Sequence, residues 1–125
     1  MITLPELAHY STAFPDLDQA LSEPNGLLAF GGDLSVKRLV SAYQKGVFPW
    51  YSEDEPILWW SPDPRFVLFP AQLKVSKSMR QVLRNSDFEV TVNKDFEAVI
   101  NLCSQVKRDG QKGTWITKNM KDAYM

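Results

Sequence analysis

Three of the four tryptophans lie in "FPWYSEDEPILWWSPDPR", residues 48–65, a stretch that also holds four of the eight prolines. Indole faces on an irregular segment can stack against nucleic-acid bases. Basic charge follows at once: Arg65, Lys74, Lys77, Arg80 and Arg84 are five bases with no acid among them. On a helix, Lys77, Arg80 and Arg84 fall at i, i+3 and i+7 and form one stripe, which Lys74 and Arg65 extend. Phosphates favour such a stripe through counterion release. Together the two signals point to single-stranded or end-of-strand RNA. Each also has a plainer reading, since tryptophans pack cores and charge stripes are solvated faces. If "ILWW" is a strand, Trp59 and Trp60 point to opposite faces, and at least one belongs to the core.

Other chemistry is excluded. The single histidine, His9, allows neither a histidine-based triad nor a His-rich metal site, and reads as a surface or partly packed side chain. Cys103 sits on an apolar helical stripe, where a buried, inert thiol is expected. In "GLLAFGGDLS", Gly26 and Gly31 have a phosphate-loop interval, but Gly32 stands where lysine is required. These glycines instead suit a tight turn into the following helix.

The elements that must position these residues can be read in outline. The 125 residues, 44% apolar and 23% charged, suit a folded domain that buries roughly two-thirds of its unfolded surface. No apolar run approaches the roughly 20 residues of a membrane helix. One cysteine excludes an internal disulfide, and a reducing, cytoplasmic setting is the default. The charge divides unevenly, −6 over residues 1–64 and +5 over 65–125. Such a split serves either an anionic partner or attraction between the halves.

In "DLSVKRLVSAYQKG", Ser35 predicts an N-cap, Leu34 and Leu39 a hydrophobic staple, and Gly46 a left-handed stop. Val36, Leu39, Val40 and Tyr43 share one face of that helix. Residues 76–84 predict a short helix with Met79, Val82 and Leu83 inward. "DFEVTV" predicts a strand with Phe88, Val90 and Val92 on one face. Asn93 then caps a helix carrying Phe96, Val99, Ile100 and Cys103 in a stripe. The polar loop "KRDGQKG" leads to a last helix capped by Thr117, with Met120 and Tyr124 on one side. That helix stops at Met125 without a closing signal, and a sheet of one or two strands is too small to stand alone. The expected class is therefore α+β, with a loop-rich N-terminal α/β domain at 1–64 and an incomplete second domain at 65–125.

"EPNGLLAFGGDLS", "AYQKGVFPWYSEDEPILWWSPDPR" and "GTWITKNMKDAY" resemble, in order and spacing, the leucyl/phenylalanyl-tRNA–protein transferases. The likeness runs from about Phe14 to Tyr124. At Lys74 and Lys77 the family carries histidine and arginine, so basic or polar character is largely kept while bidentate arginine contacts are lost.

The resemblance implies transfer of leucine or phenylalanine, sometimes methionine, from aminoacyl-tRNA to the α-amino group of proteins beginning with arginine or lysine. This marks the acceptor for degradation through the N-end rule pathway. The ester is already activated, so no ATP, metal or other cofactor is expected. The second domain would be the start of an acyl-CoA N-acyltransferase-like (GNAT-like) fold. By the resemblance, Trp50, Trp115 and Tyr124 correspond to residues lining the aminoacyl-adenosine site, and the basic stripe would grip the acceptor arm of tRNA. The catalytic groups would follow Met125, so none is assigned here. Two rival classes remain open, a non-catalytic RNA-binding module and a peptide-binding domain that uses the same tryptophans.

Overall fold

The computed structural model describes residues 3–110 and 113–125. It is α+β and divides into two compact units, Met1–Asp63 with Phe96–Met125, and Pro64–Asp95.

The first unit is organised on a four-stranded sheet. Its strands are β1 (Glu6–Leu7), β2 (Leu27–Gly31), β3 (Phe48–Pro49) and β4 (Leu58–Trp60), in the order β1-β2-β4-β3. β1 runs parallel to β2, whereas β2–β4 and β3–β4 are antiparallel. A register shift between Leu27 and Ala29 sets two β2 residues against one step of β4. Leu28 and Ala29 are both fully buried there.

Helix α1 (Val36–Gln44) packs over this sheet. The Ser35 hydroxyl accepts from the Arg38 N–H at 3.3 Å, the expected N-cap. Leu34 and Leu39 join the same apolar cluster, as a staple requires. At the other end the Gly46 N–H bonds Tyr43 O and the Val47 N–H bonds Ala42 O, with Gly46 at φ 75°. That pair of bonds is the Schellman closure. It delivers Val47 fully buried into the core beside Leu28, Leu39, Ala42 and Trp59. Val36, Leu39, Val40 and Tyr43 share one face of α1 and line one pocket, Leu39 alone among them being buried.

Among the described residues, one charged side chain lies wholly inside. Arg38 is fully buried, with its Nε 3.3 Å from Asp33 and its Nη2 donating to Ala8 O at 2.6 Å. The Phe14 ring lies 5.9 Å from the guanidinium. Asp33 also accepts from the Ser35 N–H at 2.8 Å and the Tyr10 N–H at 3.2 Å. Gly32, at φ 74°, makes room for this network, since a Cβ there would stand 2.9 Å from Arg38 Cζ.

Several expectations are corrected. "GLLAFGG" is more than a turn, for Leu27–Gly31 is a central strand with left-handed glycines at both ends, Gly26 before it and Gly31 and Gly32 at its close. "DFEVTV" forms no strand among the described residues, and Phe88, Val90 and Val92 are exposed. A period-two stretch becomes a strand only where another strand offers its hydrogen bonds. In helix α2 (Lys77–Asn85), Met79, Val82 and Leu83 are exposed, because a unit as short as Pro64–Asp95 has too little chain to enclose them. Helix α3 (Phe96–Gln105) begins after Asp95, and Asn93 sits ahead of it at φ 57° rather than at its cap. Cys103 on α3 is exposed, not buried. Helix α4 (Lys118–Tyr124) matches its expectation, capped by Thr117, with Met120 almost fully buried.

Burial raises the Asp33 pKa. The Ser35 and Tyr10 hydrogen bonds and the Arg38 charge more than offset it, lowering the carboxyl from 3.8 to about 2. A depressed carboxyl stabilises the fold above its unfolded pKa and loses that contribution as pH falls through the folded one. Asp33→Asn should therefore cost about 3 kcal/mol at neutral pH by leaving Arg38 unpaired. The gap to the parent should narrow between pH 3.8 and about 2 in urea-unfolding series. A gap independent of pH would remove Asp33 from the acid limb.

Candidate functional site

The alternation of β4 does what the sequence reading requires of it. Trp59 is 0% exposed, its Nε1 donating to Gly31 O at 2.9 Å and its ring edge-on to Phe14 at 5.1 Å. Trp60 points to the opposite face and lines a cleft of ≈910 Å³, a volume in the range of ligand sites.

Trp60 also holds its neighbour. Its Nε1 donates to Trp50 O at 2.7 Å, while the Trp50 N–H bonds Leu58 O at 2.9 Å. The residue after Pro49 is thus tied on both backbone sides to β4, and its ring lies 5.9 Å from Trp60 at 57°. Pro49 itself is buried. Trp50 is 52% exposed and Trp115 40%, so neither is a core ring. Trp115 is held by its successors. Ile116 is buried and its N–H donates to the Thr114 hydroxyl at 3.1 Å, and Thr117 then opens α4.

The residues singled out in the sequence meet here. Trp50, Trp115 and Tyr124 line one apolar pocket of ≈320 Å³ with Tyr43, Phe48 and Pro49. Trp50 and Trp115 also line the larger cleft, so the two indoles separate a narrow apolar compartment from a wider one. The wide compartment is mixed in character. Glu53, Asp54 and Glu55 line it together with Lys118 and Lys121. The Lys121 ammonium donates to Asn101 Oδ1 at 3.2 Å, and Lys118 pairs with Asp122.

Sequence reasoning missed Tyr43, which it placed on an apolar helix face. Its hydroxyl lies 2.7 Å from that of Tyr124, with the rings edge-to-face at 6.3 Å. Burial first, and then the hydrogen bond with Tyr43, pushes the Tyr124 phenol well above its ordinary range. The available signal was a tyrosine closing an otherwise aliphatic stripe, since a phenol set on an apolar face carries a hydroxyl that needs a partner. Trp60 was weighed only as core or stack, and its part in holding Trp50 was invisible without the register.

The five basic residues all fall within Pro64–Asp95 and are exposed. Lys77, Arg80 and Arg84 share one face of α2 with Gln81 and Asn85. Among the described residues there is no cluster of three metal-ligating side chains, and no helix is long and apolar enough to cross a membrane.

Comparison with known proteins places this arrangement. The family model described as leucyl/phenylalanyl-tRNA protein transferase N-terminal domain matches residues 32–63. That described as leucyl/phenylalanyl-tRNA protein transferase matches residues 67–125. The chain belongs to the leucyl/phenylalanyl-tRNA–protein transferase family. It is 61% identical over 111 residues to the leucyl/phenylalanyl-tRNA–protein transferase of Pseudomonas aeruginosa strain LESB58, covering 89% of this chain and 49% of that protein. Identity to the Azotobacter vinelandii enzyme of the same name is 58% over 114 residues, or 91% of this chain and 50% of the other. With the Methylococcus capsulatus enzyme it is 52% over all 125 residues, which is 53% of that protein. The chain thus spans about half the length of the curated relatives it matches. In this transferase family member the apolar pocket draws on both matched regions, Tyr43 and Trp50 from the first, Trp115 and Tyr124 from the second.

Replacing Tyr43 by phenylalanine should lower the pH at which Tyr124 ionises while burial keeps it above the ordinary phenol value. An NMR titration of labelled tyrosine reads this directly. An unmoved Tyr124 titration would show that the two hydroxyls are not coupled.

Proposed function

We propose that this chain belongs to an enzyme that moves leucine or phenylalanine, and also methionine, from aminoacyl-tRNA to the α-amino group of proteins beginning with arginine or lysine, marking them for the N-end rule pathway. The observation that carries this is the convergence of Trp50, Trp115 and Tyr124 on one apolar pocket in a chain of the transferase family. A terminal adenosine bearing an apolar amino acid needs flat rings for the base and an apolar wall for the side chain. An indole pair shared between a narrow and a wide compartment offers both. Base–aromatic stacking contributes roughly 1–3 kcal/mol per base without regard to sequence. An apolar pocket discriminates by only about 1–3 kcal/mol per methylene, which fits several donors of similar shape.

The basic residues Arg65, Lys74, Lys77, Arg80 and Arg84 are assigned to the phosphates of the acceptor arm. Contacts of that kind position a nucleic acid without reading it. An N-terminal domain over residues 1–64 and an acyltransferase-like (GNAT-like) domain from 65 onward complete the reading, supported by the break between the family matches at residues 63 and 67. The enzyme is assigned to the cytoplasm and to a reaction without cofactor, because the aminoacyl ester supplies the driving force. No residue of this chain is assigned to proton transfer or to the tetrahedral intermediate. Those groups are placed in the half of the relatives that the chain does not match.

The deciding assay follows radiolabelled leucine from Leu-tRNA to a peptide with N-terminal arginine, using the chain joined to the half of the P. aeruginosa relative that it does not match. Transfer is the expected result, and binding of Leu-tRNA without transfer would leave an RNA-binding module instead. In the same protein, Trp50→Ala and Trp115→Ala should each raise KM for aminoacyl-tRNA about tenfold, the equivalent of one lost stack. Unchanged KM in both folded variants would end the stacking assignment. Changing Lys77, Arg80 and Arg84 together to alanine should reduce the slope of log K against log salt by about 2. An identical slope would take them out of the interface.

A further inference from the structure

Trp60 makes a hydrogen bond that the fold does not need for its own stability. The residue is only partly buried and lines the wide cleft, where water can satisfy an indole N–H. Its Nε1 donates instead to Trp50 O at 2.7 Å. A bond that merely replaces one to water adds little to folding. What it does is fix a position. Trp50 needs that help, because β3 ends at Pro49, which has no N–H, and the paired register with β4 stops at Pro49 opposite Trp59. Beyond that point the Trp50 N–H still reaches Leu58 O at 2.9 Å, while the Trp50 carbonyl is taken by a side chain.

The register puts the two rings together. Phe48 stands opposite Trp60 and Trp50 opposite Leu58, so Trp50 and Trp60 are diagonal neighbours on one face, with centroids 5.9 Å apart. One indole therefore steadies both the backbone and the ring of Trp50, which lines both compartments. We propose that Trp60 is a positioning residue for the ligand. Through its bond to Trp50 O and its ring contact it holds the Trp50 indole in the orientation on which a terminal adenosine stacks. The assignment rests on the stacking reading above and adds a residue that acts through Trp50 rather than by touching the base. Without the Trp60 N–H, a ligand must itself order Trp50, and immobilising one more side chain weakens binding about fivefold.

The test uses the joined protein of the transfer assay and a probe that cannot react, the amide analogue of 3′-phenylalanyl-adenosine, with Kd read by calorimetry. Trp60→Phe removes the donor and keeps an aromatic ring on the cleft wall. It should weaken the probe about fivefold, whereas in a Trp50→Ala background the same change should alter Kd by less than about twofold. A residue that touched the base itself, or served only the fold, would act alike in both backgrounds, and that result overturns the proposal. Unchanged affinity in folded Trp60→Phe overturns it as well. A probe that does not bind, or that loses nothing on Trp50→Ala, defeats the stacking reading and this assignment together. One measurement needs no ligand. In fluorotryptophan-labelled protein the fluorine NMR line of Trp50 should be single and narrow in the parent and broadened or split in Trp60→Phe, and equally narrow lines overturn the positioning role. Should Trp60→Phe fail to fold, benzothienylalanine at position 60, which puts sulfur in place of the indole N–H, replaces it with the same expected results.

Discussion

The alternation of side chains along β4 is the constraint on which the site rests. A strand cannot send neighbouring residues to the same face, so the fully buried Trp59 obliges Trp60 to face the cleft. Trp59 has little freedom to move. Its indole N–H is satisfied by Gly31 O, and leaving it unmade inside the core would cost about 1–3 kcal/mol. Once Trp60 faces outward, its own N–H reaches Trp50 O, and the Leu58 carbonyl takes the Trp50 N–H. One buried ring therefore sets the position of two exposed ones. Pro49 restricts the approach to Trp50 further, so little ordering remains for a ligand to impose.

A second anchor lies away from the cleft. Arg38 joins the N-terminal segment, through Ala8 O, to the start of α1, through Asp33. Asp33 gathers three donors from Tyr10, Ser35 and Arg38, which spreads the charge of a buried pair over several hydrogen bonds. The Schellman closure at Gly46 then aims the chain from α1 into β3, and so toward Trp50. From guanidinium to indole, the positions combine local bonds such as the Schellman closure with long-range ones, Arg38 to Ala8 O across 30 positions and the pairing of β2 with β4.

What was legible in the chain follows the same division. The cap at Ser35, the stop at Gly46, the cap at Thr117 and the opposed faces of Trp59 and Trp60 are local features, and each was readable from residue type and spacing. The strand at Leu27–Gly31 was not, because an apolar run flanked by glycines reads equally as a turn until a partner strand is known. The converse error fell on Phe88–Val92, where alternation was present but no partner strand lies among the described residues. Cys103 was misjudged for a related reason, since periodicity tells which side of a helix is apolar but not what lies against it. At the candidate site, the motif resemblance singled out Trp50, Trp115 and Tyr124, but not Tyr43, whose role depends on a contact across 81 positions of chain.

The phenol pair has one more property. A hydroxyl carries a single proton and two acceptor sites, and in the Tyr43–Tyr124 bond either oxygen can be the donor. Whichever gives its proton to the other leaves that other one free to donate outward. The free donor can thus sit on the first helix or on the last by flipping two hydroxyl rotors, with no heavy atom displaced, so one rigid frame holds two hydrogen-bonding states.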